Sequence, residues 1–191
     1  MQVSEACKYI QQDENRKRVL LSFTQPLTAK QLAHRTGIPF DACRDLVRKL
    51  RSAGLIACLN TGARRSRLYW LTELSRAAIL SLDTQAGRPP RSFELPNIDW
   101  SLYGWICYSH RAAILKTLAM PLQPAAIKRR ARSQIPDLRM SANNVRDVIR
   151  LFVAKGIVEA VRQRKRVFPA YQPTATGQAL RELLLRAEVP G

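Results

Sequence analysis

Acidic side chains are scarce in this 191-residue chain: 14 Asp and Glu stand against 32 Lys and Arg, a formal net charge of +18. They are also scattered, so no carboxylate cluster is in view to hold the metal ions of a nuclease or to work as a paired acid and base. Histidine is rarer still. His34 and His110 fall in different halves of the chain, and each reads as an ordinary helix residue rather than a base or ligand. The four cysteines, Cys7, Cys43, Cys58 and Cys107, form no CxxC pair and have no histidine at ligand spacing. A zinc site or disulfide framework is not expected, and reduced thiols in a cytoplasm fit best. Long apolar runs are missing too: Ile56-Ala57-Cys58-Leu59 and Leu183-Leu184-Leu185 fall far below the roughly 20 residues of a bilayer span. The opening stretch MQVSEACKYIQQ has no basic start followed by an apolar block, so no secretory signal is expected. There is no Walker-type phosphate loop, no GxSxG and no HExxH. The expectation is a cytoplasmic protein that is not an enzyme, with no catalytic residue, no metal, no cofactor and no membrane partner.

What is present is enough apolar material to fold. A 46% hydrophobic fraction with 24% charged residues is that of a globular chain, and the length suits one large domain or two small ones. A positive excess of this size repels itself unless it faces something anionic. On charge alone, nucleic acid is the leading candidate, ahead of an anionic membrane surface.

The chain also repeats itself. Sliding it by 102 residues lays Cys43-Arg44-Asp45-Leu46-Val47-Arg48 over Val145-Arg146-Asp147-Val148-Ile149-Arg150. The same offset matches Leu50 with Phe152, Gly54 with Gly156, Leu55-Ile56 with Ile157-Val158, Tyr69 with Tyr171 and Thr72 with Thr174. Upstream, an offset of 95 pairs Arg16 with Arg111, Val19-Leu20 with Ile114-Leu115, Pro26-Leu27 with Pro121-Leu122 and Leu32 with Ile127. The seven-residue difference falls around Ser133 to Arg139, as an insertion in a turn of the second copy.

Each copy carries one series of signals. In the first, Val19, Leu20 and Phe23 space a helix over 16–23. Thr28 caps a short helix through Arg35, closed by Gly37. Cys43, Leu46, Val47 and Leu50 follow the i, i+3, i+4, i+7 rule of a third helix ended by Gly54. Strands over 55–59 and 68–71 flank a turn at Asn60-Thr61-Gly62, and Thr72 caps a helix to about Leu82. The second copy reads as helices 108–119, 123–133 and 141–155, strands 157–161 and 166–171, and a helix over 174–187.

Leu32-Ala33-His34-Arg35-Thr36-Gly37-Ile38 followed by Arg44 to Ile56 resembles the helix-turn-helix and first wing strand of bacterial and archaeal winged-helix regulators. Asn144 to Val158 is similar. The resemblance covers about 150 residues as two copies and departs from the pattern in the longer, proline-containing turn of the second. It implies a mostly α fold with small β-hairpin wings: two tandem winged helix-turn-helix domains at 1–86 and 105–191, joined by a connector at 87–104.

Charge sharpens the expectation. The three segments carry net charges of +7, 0 and +11 for the first domain, the connector and the second domain. The wing tips at 60–67 and 162–168 hold Arg64, Arg65 and Arg67, and Arg162, Arg164, Lys165 and Arg166. A phosphate backbone or narrow minor groove relieves the repulsion within such clusters. On the third helices, 40–53 and 141–155, the core pattern turns Arg44, Arg48 and Arg51, and Asn143, Asn144, Arg146 and Arg150, outward. Those residue types suit bidentate contacts with guanine and adenine edges, and the arginines equally suit phosphates. Asp45 and Asp147 are expected to pair with nearby cations on the helix surface. Lys30 joins the candidate set from the second helix of copy one, and Lys128 and Arg129, with Arg130 and Arg132, from that of copy two. These helices either line the groove edge or present a solvated face.

The connector brings together Phe93, Trp100, Tyr103, Trp105 and Tyr108, five of the 13 aromatics. They read as packing between domains or the seal of a homodimer or larger complex through 93–108. Stacking on unpaired bases, a small-ligand pocket and a partner surface remain alternatives. The function expected is sequence-preferring binding of double-stranded DNA, as a nucleoid-associated transcriptional regulator. The alternative is a non-catalytic DNA-binding subunit of a larger nucleoprotein machine, in plasmid replication initiation, chromosome organisation, or a mobile-element or defence complex. Plasmid replication initiators and the small partners of chromosome-organising complexes also resemble winged helices, though the latter use the fold for protein contacts.

Overall fold

Helices occupy 57% of the described residues in the computed structural model, which describes residues 1–135, 137–161 and 169–189. The strands among those residues form two small antiparallel sheets. The chain divides into two compact units: Met1–Trp105 with the C-terminal residues from Ala187, and Ile106–Arg186.

The first unit opens with helices α1 (Val3–Gln11) and α2 (Glu14–Leu21), then strand β1 (Leu27–Thr28) and helix α3 (Ala29–Thr36). Asp13 starts α2 by accepting a hydrogen bond from the Arg16 N–H at 3.0 Å. The Thr28 hydroxyl does the same for the Gln31 N–H at 3.2 Å, while Gln31 reaches back to the Thr28 N–H at 2.9 Å. Helix α4 (Phe40–Ser52) buries Cys43, Val47 and Leu50 along one stripe. Strands β2 (Ile56–Cys58) and β3 (Leu68–Leu71) form a hairpin, and β1 adds to its other side to give the order β1-β3-β2. Helix α5 (Glu73–Gln85) follows, and α1 packs against it through Ala6, Cys7 and Ile10.

Residues 87–104, expected as a connector, are fastened to this unit. Asp83, 1% exposed, takes Arg88 at 3.1 Å and Arg91 at 2.8 Å, and Arg91 also donates to the Leu21 carbonyl at 3.0 Å. Phe93 and Leu95 pack on the core. Helix α6 (Trp100–Ile106) brings in Tyr103, fully buried, whose hydroxyl accepts from Gln25 Nε2 at 3.1 Å. The first unit therefore extends to Trp105 rather than ending at 86, because a buried carboxylate and a buried phenol hold the following segment in place.

The second unit contains α7 (Ser109–Thr117), α8 (Pro124–Gln134), α9 (Ala142–Ala154), β4 (Val158–Val161), β5 (Ala170–Pro173) and α10 (Ala175–Arg186). Its hairpin register runs from Val158 opposite Pro173 to Val161 opposite Ala170. Ile114, Leu115, Ile127, Val145, Ile149, Phe152, Leu180 and Leu184 are buried.

The hydrogen bonds of the two units match at the offsets read from sequence. Gly54 and Gly156 both sit in the left-handed region, at φ +71° and +64°, which a side chain would strain. Behind them the Leu55 N–H donates to Leu50 at 3.0 Å, and the Ile157 N–H to Phe152 at 2.8 Å. The Thr72 hydroxyl donates to the Gly54 carbonyl at 2.8 Å, and the Thr174 hydroxyl to that of Gly156 at 2.6 Å. Leu27 pairs with Tyr69 as Leu122 pairs with Tyr171. The expected insertion in a turn is only partly in a turn: α8 spans 11 residues against 8 in α3, and the rest lengthens the link to α9.

Candidate nucleic-acid interface

With Cys43, Val47 and Leu50 buried, α4 turns Phe40, Arg44, Arg48 and Arg51 outward, each close to a whole number of turns from the last. Arg44, Arg48 and Arg51 line an open groove of about 640 Å³, with Val47 and Tyr69 also in its wall. Arg67, from the hairpin, lines the same groove, although it lies 16 residues further along the chain than Arg51. Its Nε donates to the Ala63 carbonyl at 3.0 Å, which fixes the direction of the guanidinium. Four of the expected cations thus face one cleft.

Two of them carry carboxylate partners one turn away: Arg44 meets Asp41 at 3.2 Å, and Arg48 meets Asp45. All four side chains of these pairs are at least half exposed, and such i, i+3 pairs are worth only about 0.3–0.5 kcal/mol. A phosphate can outcompete them. Arg35 differs: burial lowers its guanidinium from the usual arginine value, and it belongs to the core side of α3. Lys30 is exposed on the first turn of α3, beside Ala29 in the groove wall.

Arg64 and Arg65 are exposed in the hairpin turn. That turn is organised from inside by Asn60, 6% exposed. Asn60 Oδ1 accepts from the Leu68 N–H at 2.7 Å, Nδ2 donates to the Ser66 carbonyl at 3.1 Å, and its own carbonyl accepts from the Ala63 N–H at 2.9 Å. Gly104 of α6 lies against this amide; a Cβ there would overlap Asn60 Nδ2 and come within 3.2 Å of Leu68 Cδ1. The sequence marks Asn60 only as a turn residue, and Gly104 not at all. The burial of Asn60 and its bonds to Leu68, Ser66 and Ala63 depend on the folded hairpin and left no signal in the sequence.

In the second unit α9 buries Val145, Val148, Ile149 and Phe152 and exposes Asn143, Asn144, Arg146 and Arg150. Arg150 meets Asp147 at 3.6 Å, and Arg146 Nη1 donates to Asn143 Oδ1 at 3.4 Å. Asn144, expected to read a base, has another task. Its Oδ1 accepts from the Ser141 N–H at 3.2 Å and from the Ser141 hydroxyl, and its own N–H donates to Ser141 Oγ at 3.1 Å. The carboxamide oxygen needed for a bidentate adenine contact is committed to capping α9. On α8, Arg129 is exposed and Lys128 half-buried, and Arg130 Nη2 lies 3.5 Å from Met120 Sδ. Arg162, Arg164, Lys165 and Arg166 lie outside the described residues.

Among the described residues no three His, Cys, Asp or Glu side chains stand together to hold a metal ion, and no helix is long and apolar enough to cross a membrane. His110 Nε2 is 2.9 Å from the Arg139 carbonyl. Burial pushes the Cys43 thiol up to about 11, and its Sγ donates to the Ala29 carbonyl at 3.6 Å, so it is a packed rather than a reactive cysteine. Within the aromatic segment, Tyr103 is taken up by the first unit's core with Trp100 edge-on at 5.7 Å. Tyr108 lies under the Arg111 guanidinium at 5.5 Å; burial lowers the pKa of Arg111, and Tyr108 partly offsets that effect. Comparisons of the chain with protein-family models, with curated proteins and with solved structures give no match in any of the three.

Proposed function

We propose that the chain is a pair of winged helix-turn-helix domains that bind double-stranded DNA without altering it chemically, and that it serves as a sequence-preferring transcriptional regulator. One observation carries the reading: Arg44, Arg48 and Arg51 of α4 and Arg67 of the β2–β3 hairpin line a single groove. A helix that lays arginines along a groove edge, with a cationic hairpin beside it, suits a duplex whose major groove takes the helix and whose phosphates take the hairpin. In support, the pairs that occupy Arg44 and Arg48 are exposed and weak, so a polyanion can displace them at little cost.

The test is a titration of a labelled duplex of about 30 base pairs at several salt concentrations between roughly 50 and 200 mM. Each phosphate neutralised contributes about −0.9 to the slope of log K against log salt. Replacing Arg44, Arg48, Arg51 and Arg67 together by Ala should flatten that slope by up to about 3.6. A slope that does not move with these four removes the groove from the interface. A random duplex pool then separates the two functional expectations: one recovered sequence supports a regulator, and indifferent retention supports a sequence-neutral subunit.

A further inference from the structure

Phe40 takes no part in the hydrophobic core of the first unit. It is the first residue of α4 and is 49% exposed, the one exposed aromatic side chain among the described residues. The apolar pair that anchors the start of such a helix, one residue before the cap and four into the helix, is already supplied by Ile38 and Cys43, both buried. In the free protein the exposed half of the ring stays in water, and the Arg44 guanidinium is the partner it has there.

Its neighbours suggest what covers it. Arg44 follows one turn later on the same face, with its guanidinium carbon 5.9 Å from the ring centroid, and Arg48 and Arg51 continue the row. The ring thus heads a line of cations that faces a polyanion on the reading proposed above. On the outer face of a helix in a major groove, the N-terminal turn comes nearest the base edges. The apolar group available there is the thymine 5-methyl, and stacking is closed to the ring because duplex bases stay paired. The second copy lacks the ring: at the 102-residue offset Arg44 corresponds to Arg146, but Phe40 corresponds to Ala142.

We propose that Phe40 is a specificity-determining residue that packs on the methyl of a thymine in the half-site of the first unit, making that half-site thymine-dependent in a way the second cannot be. The inference rests on the duplex-binding reading and can fail separately from it.

The experiment takes duplexes that the full chain retains from a random pool and resynthesises the preferred one with deoxyuridine in place of every thymidine, which removes the methyl and keeps the pairing. Affinity is measured for the wild type, Phe40→Ala and Phe40→Leu, with far-ultraviolet circular dichroism as the check on folding. One methyl transferred out of water is worth about fourfold in affinity, so the wild type should bind the uracil duplex about fourfold more weakly. Phe40→Ala should bind both duplexes alike and no more tightly than the wild type binds the uracil duplex, because it loses the ring's own burial as well as the methyl contact, and Phe40→Leu should keep part of the discrimination. Equal wild-type affinity for the two duplexes overturns the proposal, as does a Phe40→Ala variant that loses as much as the wild type. Retention of no duplex at all overturns the duplex-binding reading and this inference with it.

Discussion

Gly104→Ala sets two effects of opposite sign against each other. In an exposed helix the change would help by about 1 kcal/mol, because alanine restricts the unfolded chain and suits the helix. In α6 the new methyl would overlap Asn60 Nδ2, with Leu68 Cδ1 at 3.2 Å and the Ser66 carbonyl at 3.3 Å closing the remaining directions. The amide cannot step aside cheaply, since it holds the Leu68 N–H at 2.7 Å and the Ser66 carbonyl at 3.1 Å. Leaving one such buried group unsatisfied costs about 1–3 kcal/mol, and moving α6 instead costs a similar amount in overpacking. Taking the gain of about 1 kcal/mol from a cost of about 1–3 kcal/mol leaves a net destabilisation of up to about 2 kcal/mol. All three tryptophans, Trp70, Trp100 and Trp105, lie in the first unit, so urea unfolding followed by tryptophan fluorescence reads that unit selectively. The mechanism is checked in an Asn60→Ala background, where the methyl meets a smaller side chain and Gly104→Ala should cost at least 1 kcal/mol less. A Gly104→Ala variant more stable than the wild type, or one with the same cost in both backgrounds, would refute the reasoning.

Asp83→Ala should destabilise the first unit by about 1–3 kcal/mol; the value sits below that of a fully buried pair because Arg88 and Arg91 keep access to water at 43% and 33% exposure. The same variant should expose the 87–99 segment to limited proteolysis, and an unchanged cleavage pattern would show that the ion pairs do not hold it. For Cys43 the folded thiol is raised to about 11 from 9.0, so the fold keeps its proton longer than the unfolded chain does. The sign follows: this contribution is intact below pH 9 and falls away as the pH rises from 9 to about 11. Urea midpoints across that window should fall less steeply for Cys43→Ala than for the wild type; parallel curves would exclude the buried thiol as the cause.

The parts of the fold that the sequence reveals are those set by local chemistry. Thr28 and Thr72 cap helices because their hydroxyls accept from backbone three residues on, and Gly54 and Gly156 end helices because their backbone is left-handed. Such signals survive in any context, and they recur at one offset. What stays hidden depends on distant partners. Helix α1 begins at Val3 behind Gln2, a residue type not favoured as a cap, and packs Ala6, Cys7 and Ile10 near α5. Strand β1 has two residues, Leu27 and Thr28, and exists because Tyr69 and Leu68 pair with them. Helix α6 carries a glycine and three aromatics, a composition that reads as irregular connector until Tyr103 finds Gln25. At the candidate site, periodicity alone was enough to turn Arg44, Arg48 and Arg51 outward. Their convergence with Arg67 was not legible, since it depends on the hairpin folding back over α4.

The two copies have diverged at the positions where a shared scaffold leaves freedom. Arg44 faces a carboxylate, Asp41, whereas its counterpart Arg146 faces the neutral carboxamide of Asn143. Phe40 is replaced by Ala142, and Asn144 is spent on capping. The outward face of α9 therefore offers fewer groups able to distinguish bases than that of α4. Its neighbour α8 compensates in kind rather than in type: Lys128, Arg129, Arg130 and Arg132 stand on one helix with no carboxylate among its residues. Cations on a helix that carries no carboxylate suit phosphates. On the proposed reading, the second unit then supplies most of the salt-sensitive affinity and the first supplies the sequence preference. The identities at the fixed offset fall on exposed residues of α4 and α9, Arg44 with Arg146, Asp45 with Asp147 and Arg48 with Arg150. The buried positions share only apolar character, Cys43 with Val145, Val47 with Ile149 and Leu50 with Phe152: packing asks for an apolar side chain of fitting size rather than for one residue type.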